Sequence, residues 1–143
     1  MTTCPRRGRD FSTSFWGPSM WRTLHVGAVN YRPSMRTHWY NYLKKMLPSI
    51  IPCSKCRNHY MQKEKRFNYK QILKSRENLM RFLVTLHNEV NRDIARKLNR
   101  KYVPFGFRQH CQTLLRNRSK RNNRVLFIAK RSKSRRRSRS RRR

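Results

Sequence analysis

Cys53 and Cys56 stand two residues apart in the run Pro52-Cys53-Ser54-Lys55-Cys56. Two thiols at that spacing either close a small disulfide ring or supply half of a metal site, and both chemistries act through the thiolate. Pro52 has no N–H to donate and suits the approach to a helix. A helix over about 53–65 would direct its free N–H groups at the sulfurs, and that positive end favours thiolate over thiol. Lys55 and Arg57 act in the same direction. The local sequence therefore predicts a reactive pair. As half of a zinc site the pair would take His59 as a third ligand and still need a fourth, because His110 and Cys111 are far away in sequence.

The elements that must position these thiols read as helices. From about Phe15 to Tyr31, Trp21, Leu24, His25 and Ala28 recur at three- and four-residue steps, and Pro33 ends the run. A second helix over about 35–47 carries Trp39, Leu43, Met46 and Leu47 on one stripe, with Pro48 and Pro52 bracketing its exit. The third helix holds the thiols, and a looser segment follows over 66–74. A fourth, about 76–98, has Leu79, Phe82, Leu83, Leu86, Val90 and Ile94 as its inward face. His87 falls on or beside that stripe, with Asn91 one turn further. After a turn at Pro104-Phe105-Gly106-Phe107, a short helix over about 108–117 contains Cys111. No stretch alternates as a strand would. The expected fold is all-α: a four-helix bundle with a short fifth helix, followed by a disordered basic tail. That argues against a thioredoxin fold, in which the C-x-x-C follows a strand.

Charge sets the choice of partners. The 143 residues hold 38 Lys or Arg against 5 Asp or Glu, for a net charge of +33. The expected organisation is a flexible arm over 1–14, one domain over 15–118 and an Arg/Ser-rich tail over 119–143. The tail takes 13 of the basic residues and leaves the rest of the chain at +20. A body so cationic implies anionic partners: nucleic acid, an anionic cofactor or acidic proteins. The tail would hold nucleic acid or acidic surfaces through counterion release, and its Arg-Ser repeats are phosphorylation targets. Four scattered cysteines are too few for a secreted disulfide scaffold, and neither a secretory leader nor a membrane-length apolar run is visible. The expectation is a soluble cytoplasmic protein, in which an oxidised C-x-x-C is catalytic.

Three motifs carry a family resemblance. Trp16-Gly17-Pro18-Ser19-Met20-Trp21-Arg22-Thr23-Leu24-His25 resembles the W-G-x-x-x-W-x-x-L-H opening of the Erv/Alr family of FAD-linked sulfhydryl oxidases. Cys53 and Cys56 with His59 resemble its C-x-x-C, which in several members precedes a histidine three residues on. Leu86-His87-Asn88-Glu89-Val90-Asn91 resembles its H-N-x-V-N signature. The motifs occur in family order across about residues 14–108, and the short chain looks most like single-domain members encoded by large DNA viruses.

The resemblance implies a helical bundle holding FAD, usually as a homodimer, that converts a dithiol and molecular oxygen to a disulfide and hydrogen peroxide. It makes Cys53 the outer sulfur that meets the incoming dithiol and Cys56 the inner sulfur facing the flavin. It assigns Gly17, Trp21 and His25 to the cofactor from the first helix, and His87, Asn88 and Asn91 from the fourth. A phosphate-binding lysine of the family falls at Arg96, with Lys97 beside it. Phe107 and Arg108 stand where late residues close the cofactor site. Many members own a second, shuttle cysteine pair, whereas Cys4 and Cys111 are both single here. The oxidised partner would be a dithiol protein, among them a thioredoxin-like relay, met in the host cytoplasm or the virion if the chain is viral.

Blander readings stand beside these. Trp16, Trp21 and Trp39 serve any bundle as core residues, and His25 and His87 as satisfied interior histidines. The alternative function is a basic nucleic-acid-binding helical protein with a structural or metal-binding C-x-x-C.

Overall fold

A computed structural model describes residues 11–117. These residues contain helices and no strand, so the described part of the chain is all-α as its periodicity predicts. Helix α1 spans Thr13–Val29. A helical run over 33–50 follows in four pieces: a 3₁₀ turn Pro33–Met35, α2 Arg36–Asn41, a π turn Tyr42–Met46 and α3 Leu47–Ile50. Then come α4 Ser54–Glu64, a short α5 Tyr69–Ile72 and the long α6 Arg76–Lys97. These elements belong to one compact unit that ends at Tyr102. A second unit begins at Val103 and carries α7 over 107–117.

The second expected helix runs on through Pro48 to Ile50. A proline at that place removes one amide donor and crowds the carbonyl four residues back. A π turn lies just before it: the Leu47 N–H reaches back five residues to the Tyr42 carbonyl, and the Leu43 carbonyl accepts from the Tyr60 hydroxyl instead. The segment over 66–74 is also more ordered than its composition suggests. The Asn68 side chain accepts the Gln71 N–H at 3.1 Å and starts α5.

Helix α6 has conventional ends. The Ser75 hydroxyl accepts the Asn78 N–H at 3.1 Å, and Glu77 lies in the positive first turn. Past the last turn Asn99 takes a left-handed φ of 50°. The Arg100 N–H then returns to the Ala95 carbonyl at 2.8 Å and the Asn99 N–H to Arg96 at 3.2 Å. Asparagine thus does here what glycine usually does at a helix stop.

One apolar core joins the elements of the first unit. Leu24 and Ala28 of α1, Leu43 and Leu47 of the middle run, Tyr60 of α4, and Leu79, Leu83 and Leu86 of α6 are buried in it. Two buried tyrosines tie it together through their hydroxyls. Tyr31 donates to the Leu73 carbonyl at 2.6 Å and Tyr60 to the Leu43 carbonyl at 2.7 Å. The inward face of α6 is shorter than its sequence stripe. Val84 is buried, Phe82 and Val90 are half-buried, and Ile94 is exposed, because the last turns of α6 run beyond the apolar core.

Candidate functional site

Cys53 and Cys56 form a disulfide at the head of α4. Cys53 is the N-cap residue in extended conformation, and its Sγ accepts the Cys56 N–H at 3.2 Å. One helix donor therefore points at the Cys53 sulfur, and the helix field stabilises negative charge there. Both cysteines are half-buried. Cys56 packs against the apolar core of the unit, as Trp21 does. The Arg57 guanidinium folds back over the segment before the thiols, with Nη2 donating to the Ile51 carbonyl at 3.0 Å.

The residues expected on α1 and α6 meet across the pair's interface, where α1 packs on α6. Trp21 stacks on His87 with ring centres 4.1 Å apart and planes within 9°. His25 is only 4% exposed and sets Nε2 3.2 Å from Nδ1 of His87. Its ring also stacks on Trp21, centre to centre 5.9 Å. Asn88 is buried, and its Oδ1 accepts the Tyr102 hydroxyl at 2.6 Å. Asn91 is half-buried one turn on from His87. At Gly17, half-buried in α1, a Cβ would meet nothing within 4 Å. Arg96 has a side chain 75% exposed and lies 3.6 Å from Asp93. Phe107 and Arg108 open α7 in the second unit, the first half-buried and the second exposed.

Two further groups escaped the sequence reading. Lys63 of α4 is buried, with Nζ 3.2 Å from Glu89 and 3.1 Å from Asp93 of α6. Asp93 also lies 3.2 Å from His59 Nε2. Burial alone would raise the Asp93 carboxyl, yet Lys63, His59 and Arg96 together hold it below the usual carboxylate range. A signal was present. His59 and Lys63 are four apart, as are Glu89 and Asp93, so two helices offer matched charges at one spacing. Tyr102 is the other: nothing local in the sequence points it at Asn88.

The donor set suits a flat, anionic cofactor. Trp21 and His87 are stacked face to face, so a heteroaromatic ring could stack only on the outer face of either. Carboxamides at Asn88 and Asn91 suit its polar edges, and the cations Arg96 and Lys97 suit a pyrophosphate. Two cavities open elsewhere in the unit. One, of about 430 Å³, is apolar and lined by Leu24, Gly27, Met35, Trp39, Tyr42 and Met46 among others. Another, of about 440 Å³, lies by Tyr31, Arg32 and Arg76. Neither is lined by the thiols or the stacked rings; in this form Trp21 and His87 fill their own stack. Among the described residues no three of His, Cys, Asp or Glu converge as metal ligands would, and His59 turns to Asp93.

The model of the Erv1 / Alr family matches residues 18–110, the stretch that holds the disulfide and the stacked rings. The chain belongs to the Erv1/Alr family. Among the relatives of this Erv1/Alr chain is a protein of Frog virus 3 (isolate Goorha), provisionally named FAD-linked sulfhydryl oxidase. It is 30% identical over 100 residues, which cover 65% of this chain and 63% of that protein. A protein of Invertebrate iridescent virus 6, with the same provisional name, is 28% identical over 98 residues, covering 62% and 87%. The FAD-linked sulfhydryl oxidase of African swine fever virus (isolate Tick/Malawi/Lil 20-1/1983) is 31% identical over 99 residues, covering 64% and 74%. The chain thus spans a little under two thirds of the Frog virus 3 relative and more of the other two. No solved structure matches this Erv1/Alr chain.

Proposed function

We propose that this chain is an FAD-dependent sulfhydryl oxidase that forms disulfide bonds in partner proteins. The observation that carries the reading is the Cys53–Cys56 disulfide at the head of α4, in the same small bundle that brings Trp21, His25 and His87 together. The names of the viral relatives support it.

The chemistry begins with a substrate thiolate attacking Sγ of Cys53. The Cys53–Cys56 bond breaks, a mixed disulfide forms, and Cys56 leaves as thiolate. The second substrate thiol, losing its proton, attacks the substrate sulfur of the mixed disulfide and releases Cys53. The substrate has then lost two electrons and two protons to the cysteine pair. Attack at Cys53 is supported by the packing of Cys56 against the core, and the N–H aimed at Cys53 would stabilise the thiolate that the second step releases. Bound FAD would carry the two electrons to oxygen, giving hydrogen peroxide and restoring the disulfide. Trp21 and His87 would stack on the cofactor, with Gly17, His25, Asn88 and Asn91 beside them. Arg96 would meet its phosphates, and Phe107 and Arg108 are carried over from the family pattern alone.

The same reading makes the enzyme a homodimer, and an apolar groove with Val26 and Met46 exposed near it is a surface a second copy would cover. It takes a thioredoxin-like dithiol protein as relay, uses the tail to bind nucleic acid or acidic surfaces, and acts in the cytoplasm of an infected cell or in the virion. No helix among the described residues is long and apolar enough to cross a membrane. The test is the purified protein itself. It should be yellow with bound flavin and consume one oxygen per dithiothreitol oxidised; a colourless protein that leaves dithiothreitol untouched would refute the reading.

A further inference from the structure

The charges around the disulfide single out a class of substrate. Residues 11–117 contain four carboxylates, and every one is engaged by a cation. Glu64 lies 3.8 Å from Lys44, Glu77 2.6 Å from Arg81, Glu89 3.2 Å from Lys63, and Asp93 3.1 Å from Lys63. The cations at the thiols are not spent in this way. Lys55, between the two cysteines, is exposed. Arg57 reaches only a carbonyl, that of Ile51, which lies two residues before Cys53. Neither forms an ion pair among the described residues. Between residues 43 and 66 the chain carries seven Lys or Arg against one Glu. That Glu64 closes α4, about 15 Å along the helix from Cys53 at 1.5 Å per residue. Asp93, which meets His59 six residues after Cys53, is covered by Lys63, His59 and Arg96. The head of α4 adds its own positive end at Cys53. A substrate approaching Cys53 therefore meets the helix head and two cations, Lys55 and Arg57, that no described carboxylate neutralises.

We infer that the preferred substrates are dithiols flanked by carboxylates, drawn to Cys53 by Lys55, Arg57 and the head of α4. This rests on the oxidase reading and adds to it a specificity. Charge of one sign at a reaction mouth raises the encounter rate of oppositely charged reactants by ten-fold or more at low salt, and salt removes the gain. The step concerned is the attack of the substrate thiolate on Cys53, before any cofactor takes part.

The test uses three small dithiols on the full-length protein: anionic dimercaptosuccinate, neutral dithiothreitol and cationic dithiobutylamine. Reduction of the Cys53–Cys56 bond is followed without oxygen by alkylation and mass, and each rate is expressed per thiolate. The anionic dithiol should react about 10-fold faster than the cationic one at low salt, with the ratio falling toward parity at high salt. Lys55→Glu should shrink that ratio at least ~3-fold, with each rate divided by the dithiothreitol rate of the same variant. Equal rates for the three dithiols, or a ratio that neither salt nor Lys55→Glu changes, would overturn the inference. Absence of oxygen turnover with dithiothreitol would instead strike the oxidase reading, and the charge series would still decide the electrostatic claim.

Discussion

Replacing Lys63 by methionine removes one ammonium while keeping most of its apolar stem. That ammonium has a side chain 10% exposed and two acidic partners, Glu89 at 3.2 Å and Asp93 at 3.1 Å. A hydrogen bond to a charged group is worth about 1.5–3 kcal/mol. Two opposing effects lower the sum: the ammonium no longer has to be desolvated, and Glu89, 40% exposed, can turn to water. Asp93 is 20% exposed and keeps His59 at 3.2 Å and Arg96 at 3.6 Å. The net loss should be about 2 kcal/mol, equivalent to roughly 8–16 °C in Tm for a unit of this size. Thermal and urea melts followed by circular dichroism at pH 7 measure it. A double-mutant cycle with Asp93→Asn should return a coupling of about 1–2 kcal/mol. A Lys63→Met protein within about 0.5 kcal/mol of the native one, or a coupling of zero, would show that the α4–α6 ion group is ornament.

Tyr102→Phe removes the hydroxyl held by Asn88 at 2.6 Å; it should cost about 1 kcal/mol of stability and weaken flavin binding several-fold, as read by flavin fluorescence. Asp93 has a depressed folded pKa, so the stability it contributes is full above its unfolded value of about 4 and is lost as pH falls through the folded value. Acid titration of the melt should show that loss, and Asp93→Asn should flatten it. Tyr60→Phe leaves the buried Leu43 carbonyl without its donor at 2.7 Å and should cost about 1–3 kcal/mol in the same melts.

What the sequence made legible was whatever depends on neighbours along the chain. The spacing of Cys53 and Cys56 and the proline before them place a reactive thiol pair at a helix head, because the cap forms within four residues, while the choice of disulfide over metal site needed the fold. The stripes of α1 and α6 put His25 and His87 on or beside inward faces for the same reason, and tertiary packing then brought the two together. The course of the chain at Pro48 was not legible, since apolar spacing does not distinguish a bond of four residues from one of five. Ile94 continues the stripe of α6 yet is exposed, because periodicity does not say where the opposing core stops. Lys63 and Tyr102 were missed because their partners lie 26 and 14 residues away, and only tertiary packing brings them together.

The most direct test is an oxygen-free titration of the flavin-loaded protein with dithiothreitol. If electrons enter through the disulfide at the head of α4, one equivalent of dithiothreitol beyond that needed to open Cys53–Cys56 bleaches the flavin of the native protein. The Cys56→Ser protein should keep both its flavin and its colour. Equal bleaching of the two would contradict the account.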